Sequence, residues 1–153
     1  MITRLEDKNI IKSLIDHLGV IPTSLDVPIA AAIYDENLNF VTIARNLRED
    51  SFDPTAHAEI LALREASQKI KNWNLASFSL YSTLEPCLMC TGAILQSRIS
   101  RVVFGAFNSE LKESAGDVLR KENSKIEVIG GVYKEECAEM ISQWFAHQRK
   151  FSR

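Results

Sequence analysis

Two short segments carry residue types suited to holding a metal and moving protons: Pro54-Thr55-Ala56-His57-Ala58-Glu59 and Thr83-Leu84-Glu85-Pro86-Cys87-Leu88-Met89-Cys90. Cysteines at i and i+3 fall on one face of a helix, so two sulfurs can grip one ion. Asp53-Pro54 and Glu85-Pro86 are each read as a helix opening, with Asp53 as a cap and proline at the first helical position. Unpaired amides and the positive end of the helix dipole favour thiolate there, the form that binds zinc. His57 and Glu59 are about 200° apart on an ideal helix. They converge only if the first turn points its tip at the metal, which places His57 on the zinc and Glu59 beside its open position. One histidine and two cysteines leave room for water in a tetrahedral shell, the pattern of a catalytic rather than a structural zinc. Such an ion brings the pKa of its water down to about 7, and Glu59 is placed to take that proton and redeliver it.

Taken singly, each residue has a plainer use. A lone CxxC also serves as a redox pair, His57 as a helix surface residue and Glu59 as a solvated charge. The combination, with proline before the first cysteine, points to a zinc hydrolytic site. His17 lies in an amphipathic helix and reads as a surface residue. Cys137 sits in an apolar stripe and reads as a buried, inert thiol. Were Cys137 or His147 to complete the shell, the metal would be structural and the enzyme reading would fail.

The elements that must position these groups follow from periodicity. Leu5, Ile10, Ile11, Leu14, Ile15 and Leu18 recur at helical spacing before Gly19. Val27 to Tyr34 and Leu38 to Ala44 are apolar runs joined by Asp35-Glu36-Asn37, which predicts a hairpin. Ile60, Leu61 and Leu63 form the apolar face of the helix after Asp53-Pro54. A strand follows over Phe78 to Thr83, then a helix from Glu85-Pro86 to about Ser97. Arg101 to Phe107 and Ile126 to Val132 supply two more strands, with a polar, part-helical connection between them. A last helix runs from Lys134 to Arg149 with Cys137, Met140, Ile141, Trp144 and Phe145 as its apolar stripe. Alternation of helices and strands after the hairpin predicts one five-stranded sheet covered on both faces.

Composition narrows the classes. A chain of 153 residues, 46% hydrophobic and 25% charged, suits one soluble domain and excludes disorder and fibrous repeats. Eighteen basic against twenty acidic residues give a net charge of -2, which disfavours a nucleic-acid coat held by diffuse positive charge. Three cysteines, two of them close together, do not form a secreted disulfide framework. No run reaches the roughly 18 apolar residues of a membrane helix, and a soluble cytoplasmic protein is expected.

The H-x-E and P-C-x-x-C pair is the zinc nucleobase deaminase signature, for which the tRNA-editing enzymes are a standard example. The phrases DPTAHAEILALREA, TLEPCLMCTGA and SRISRVVFGA carry more information than the metal motif alone, and with them the chain resembles the bacterial tRNA-specific adenosine deaminases from about Asp26 to Arg149. The resemblance implies a single deaminase domain over residues 1–153 with a three-layer α/β/α cytidine-deaminase-like fold around a five-stranded mixed sheet. It also implies one Zn2+ per subunit, a homodimer, and a tRNA anticodon stem-loop whose wobble adenosine becomes inosine. Carried over by position, His57, Cys87 and Cys90 match the zinc ligands and Glu59 the proton shuttle. Asn46 matches the asparagine that recognises the purine, and Ile29 an apolar pocket wall; without the resemblance, these read as a loop amide and a strand core residue.

Three departures bear on RNA contact. A glycine-rich loop usual after the fourth strand is replaced by the shorter stretch from Asn108 to Asp117. Ala30 stands where a glycine is common, and the basic C-terminal tail is short. Residues 141–153 still carry a net +3 from Arg149, Lys150 and Arg153 against -5 in the rest. Phe145 and Arg149 are the predicted RNA contacts there, with Trp144 and Phe151 beside them to stack a base. The plainer use of this end is a solubilising helix terminus. Two rivals share the metal motif: a deaminase of free guanine or cytosine, and a non-catalytic zinc module, which would be expected to lack the glutamate that Glu59 supplies.

Overall fold

The computed structural model describes residues 3–19 and 24–151. Its elements, in chain order, are α1 (Leu5–Gly19), β1 (Ala30–Tyr34), β2 (Phe40–Arg45), α2 (Ala58–Ile70), β3 (Ser79–Leu84), α3 (Leu88–Ser97), β4 (Arg101–Ala106), α4 (Ala115–Glu122), β5 (Glu127–Ile129) and α5 (Lys134–Phe151). The strands form one sheet in the order β2-β1-β3-β4-β5. β1 runs antiparallel to β2 and β3, while β3, β4 and β5 are parallel. The expected mixed, five-stranded α/β/α architecture is present.

Side-chain alternation divides the interior into two cores, because successive strand residues point to opposite faces. Ala31, Ile33, Leu80, Val102 and Phe104 face Ala62, Leu63, Ala66, Ile94 and Leu119 of α2, α3 and α4. Ala30, Ala32, Tyr81 and Val103 face Ile11, Leu14 and Cys137 of α1 and α5. Parallel strands buried on both faces read as nearly continuous apolar runs, and all six residues of β4 are buried.

That run includes Arg101. Its guanidinium donates to both oxygens of Asp7 at 2.7 and 2.8 Å and, through Nε, to Glu127 at 2.6 Å. The Tyr81 hydroxyl donates to Asp7 at 3.0 Å. Burial pushes the Asp7 carboxyl up, but hydrogen bonds from Arg101 and the Arg4 amide outweigh it and hold the group below its usual range. A paired, fully hydrogen-bonded charge thus pins α1 across the sheet.

Two predicted helix openings are corrected. Asp53 Oδ1 accepts from the Thr55 amide and hydroxyl at 2.8 and 2.7 Å, closing a turn, and α2 starts only at Ala58 with His57 as its N-cap. Likewise α3 starts at Leu88 with Cys87 as N-cap, not at Glu85-Pro86. The last strand is also shorter than expected, ending at Ile129 before Gly130 and Gly131, where φ is +87°. The part-helical connection is α4, capped by the Ser114 hydroxyl, which accepts from the Asp117 amide.

Candidate active site

Both helix starts lie beside the sheet, and the short shift in their boundaries brings the ligands to the tips. His57 and Cys87 each occupy an N-cap with extended backbone and make no side-chain cap bond, so their side chains are free for other partners. Glu59 and Cys90 follow within the first turns. His57 Nδ1 lies 3.5 Å from Cys87 Sγ and 3.6 Å from Cys90 Sγ, and the three ligand atoms lie within 4.8 Å of one another. Zinc bonds of ordinary length at a tetrahedral angle separate N from S by about 3.6 Å. The three residues therefore fit one zinc ion. Neither Cys137 nor His147 joins this group among the described residues. Cys137 is buried in the α1/α5 core, where burial pushes its thiol up to about 11.

The electrostatics separate the two sulfurs. A hydrogen bond from Cys90, supported by His57 against the cost of burial, brings Cys87 down to about 4. Its hydrogen bond to Cys87 and its own burial hold the Cys90 proton in place. The Cys87 sulfur in turn raises the His57 imidazole above its ordinary value. Glu59 is 4% exposed, and burial pushes its carboxyl above the usual range.

His57, Glu59 and Cys87 open on a cavity of about 420 Å³ whose wall also includes Asn46 and Ile29. Asn46 is held at the end of β2 by a 3.0 Å bond from its amide to the Ile29 carbonyl, which ties the two predicted pocket residues together. α5 supplies Ala138, Ile141, Ser142 and Phe145 to the opposite wall. The predicted α5 stripe is thereby split: Cys137 and Met140 pack on the core, while Ile141 and Phe145 face the cavity. Arg149 lies exposed near the end of α5, outside the cavity wall. Of the predicted basic end, Arg153 and the Phe151 side chain lie outside the described residues.

Sequence reasoning missed four groups. Arg48 and the 59% exposed Phe107 stand on the cavity rim. Asp26 is buried and accepts from the amides of Glu49 and Asp50 at 2.9 and 3.0 Å, fixing the loop that follows Asn46. Glu85, also buried, accepts from the amides of Asn108 and Ala115. Backbone amides leave no signature in a sequence, so no signal pointed to these two carboxylates.

The profile of the cytidine and deoxycytidylate deaminase zinc-binding region matches residues 9–106, well over half of the chain. The chain belongs to this deaminase family. Among its relatives, the tRNA-specific adenosine deaminase of Haemophilus influenzae is 44% identical over 131 residues, covering 82% of this chain and 75% of that protein. A structure from work on A-to-I editing by tRNA:A34 deaminases at the wobble position of transfer RNA superposes with a TM-score of 0.72. It is 29% identical, over 90% of this chain and 99% of that one. The guanine deaminase of Nitrosomonas europaea superposes with a TM-score of 0.75 at 21% identity, covering 95% of this chain and 87% of that one; this likeness shows the shared fold of the deaminase family alone.

Proposed function

We infer that this deaminase converts adenosine to inosine at the wobble position of a tRNA anticodon by hydrolysis. The observation that carries the chemistry is a three-ligand metal set, two of whose members line one cavity together with a buried carboxyl that is not a ligand. The substrate rests on the similarity to the Haemophilus influenzae tRNA-specific adenosine deaminase across four-fifths of the chain. A free-nucleobase deaminase has only the shared metal motif and the fold in its favour.

His57, Cys87 and Cys90 would hold zinc, whose Lewis acidity makes a water molecule available as a nucleophile at neutral pH. The chain's own part is proton transfer and placement. Glu59 accepts a proton from the water as its oxygen bonds to C6, and delivers that proton to N1 of adenine. The C6 centre becomes tetrahedral. As the C6–N bond breaks, the same carboxyl carries the remaining hydroxyl proton to the departing amine, leaving inosine and ammonia. A carboxyl whose pKa burial has raised is suited to both directions of transfer. Asn46 offers an amide donor and acceptor to the purine edge, and Ile29 packs against its face. A base in a single-stranded loop reaches such a pocket at low unstacking cost. Phe145 on the wall and the exposed Arg149 beyond it supply stacking and phosphate contacts.

The whole of 1–153 is proposed to act as one cytoplasmic catalytic unit, paired as a homodimer. Leu88, 72% exposed, and Met89, 37% exposed, present apolar surface beside the site that a second copy would cover. No described helix is long and apolar enough to cross a membrane. The decisive assay incubates the purified protein with an anticodon stem-loop carrying adenosine at the wobble position and measures inosine. Turnover of free guanine or cytosine with no inosine in the stem-loop would overturn the proposal. Sedimentation at micromolar concentration reads the dimer.

A further inference from the structure

We propose that Glu85 is a positioning residue whose carboxylate fixes the rim segment 107–114 in the shape that receives the substrate. Its Oε2 accepts from the Asn108 amide at 3.0 Å, and its Oε1 accepts from the Ala115 amide at 2.8 Å. One carboxylate therefore ties together the two ends of the loop between β4 and α4. The Glu85 amide also donates to the Ala106 carbonyl at 2.8 Å, which locks the segment leading to Cys87 onto the end of β4. Asn108 closes the tip from inside, its Oδ1 accepting from Glu110 and its carbonyl from Leu111.

Phe107, Asn108, Ser109 and Glu110 line the cavity that holds His57 and Glu59. Ser109, Glu110, Lys112 and Glu113 are exposed, so packing contributes little to the shape of the loop. α4 is held to the sheet by Leu119, fully buried, whatever the loop does. A buried carboxylate is costly unless fully hydrogen-bonded, and an apolar side chain would fill the same volume for the core. The carboxylate's distinct contribution is the fixed loop. A segment ordered before binding spares the RNA the entropy of ordering it.

This inference rests on the tRNA deaminase reading for what is bound, and its test separates the two. In Glu85→Gln the carboxamide keeps one acceptor but turns an NH2 donor toward the second amide. With zinc bound and the fold intact, hydrogen exchange at the amides of Asn108 and Ala115 should accelerate at least tenfold. KM for the stem-loop should rise about tenfold and kcat should fall less than threefold. Unchanged exchange would overturn the clamp. Faster exchange with unchanged KM would overturn its role in binding, and a fall confined to kcat would make Glu85 part of the chemistry instead. A wild-type protein that makes no inosine in the stem-loop refutes the substrate reading, and the exchange measurement still reads the clamp by itself. Should Glu85→Gln lose zinc or fold, Ala115→Pro removes one donor without touching the metal segment. Proline is favoured at the first helical position, and Ser114 before it already has φ -63° and ψ 145°, the extended conformation proline requires. It should raise KM in the same way; an unchanged KM overturns the proposal.

Discussion

Replacing Glu59 with glutamine keeps the shape of the side chain and removes its ability to take a proton. The size of the effect follows from what else the cavity holds. Its lining carboxyls are Glu59, Glu85 and Glu110. Both oxygens of Glu85 are occupied by amides, and Glu110 is exposed on the rim. Among the described residues no neighbouring carboxyl stands ready to replace Glu59, so the full contribution of a positioned acid–base group should disappear. That contribution is typically about 10²- to 10⁴-fold, or roughly 3–5 kcal/mol of barrier. Since Glu59 serves both transfers in the proposed sequence, a loss toward the upper end, about 10³-fold or more, is expected for inosine formation in single turnover. Stability should move the other way. Burial disfavours the charged carboxylate, and a neutral isostere avoids that cost, so the variant should melt no lower than the parent at pH 7 while binding one zinc. A zinc-loaded Glu59→Gln protein within tenfold of parental activity would refute the role of Glu59. A large drop in melting temperature would refute the account of its environment.

Cys87→Ala leaves two of the three ligands, and metal analysis after dialysis should find zinc reduced from about one per chain to near zero; undiminished zinc would remove Cys87 from the shell. Asp7→Asn removes one of the two carboxylates that pair the buried Arg101 guanidinium, leaving Glu127, and should cost up to about 3 kcal/mol, lowering the melting temperature by on the order of 10 °C. The folded pKa of Asp7 is depressed, so its contribution is fully present above its unfolded value of about 3.9 and is lost as pH falls through the folded value. The gap between parent and variant should therefore close below about pH 4, and a gap independent of pH would contradict the pairing. Gly105→Ala places a methyl group against Cys137 Sγ and 2.7 Å from the Thr83 carbonyl oxygen. Backbone cannot yield there, and denaturant unfolding should show a loss of about 1–3 kcal/mol.

The groups most legible in the sequence are those whose residue types are scarce. His57, Glu59, Cys87 and Cys90 stand in a pattern with few other uses, and the structure brings His57, Glu59 and Cys87 to one cavity with Cys90 buried beside His57 and Cys87. Helix periodicity located α1 and α5 because their apolar stripes face the sheet. The start of α2 lies four residues later than Pro54, since an aspartate before proline serves a local turn as readily as a helix cap, and that of α3 two residues later than Pro86. Arg101 gave no hint of burial because its partner, Asp7, lies 94 residues away, and only the folded sheet joins them. The sequence did not divide the apolar stripe of α5 into a core side and a cavity side, because an apolar cavity wall and an apolar core present the same pattern. Loop geometry was least legible, being set by main-chain amides that every residue except proline possesses.

Anchoring through main-chain amides sets how the rim can vary. Asp26 and Glu85 each grip a loop by its peptide groups, not by its side chains. At Glu85 the residues between the anchored amides of Asn108 and Ala115 are then an exchangeable module: composition and length can change provided two N–H groups still arrive at the waiting oxygens. A graft of residues 109–113 from a relative of different length should seat on the same scaffold with the metal ligands undisturbed. The cavity rim can thus change at its loop tips while the residues that would hold the metal stay in place.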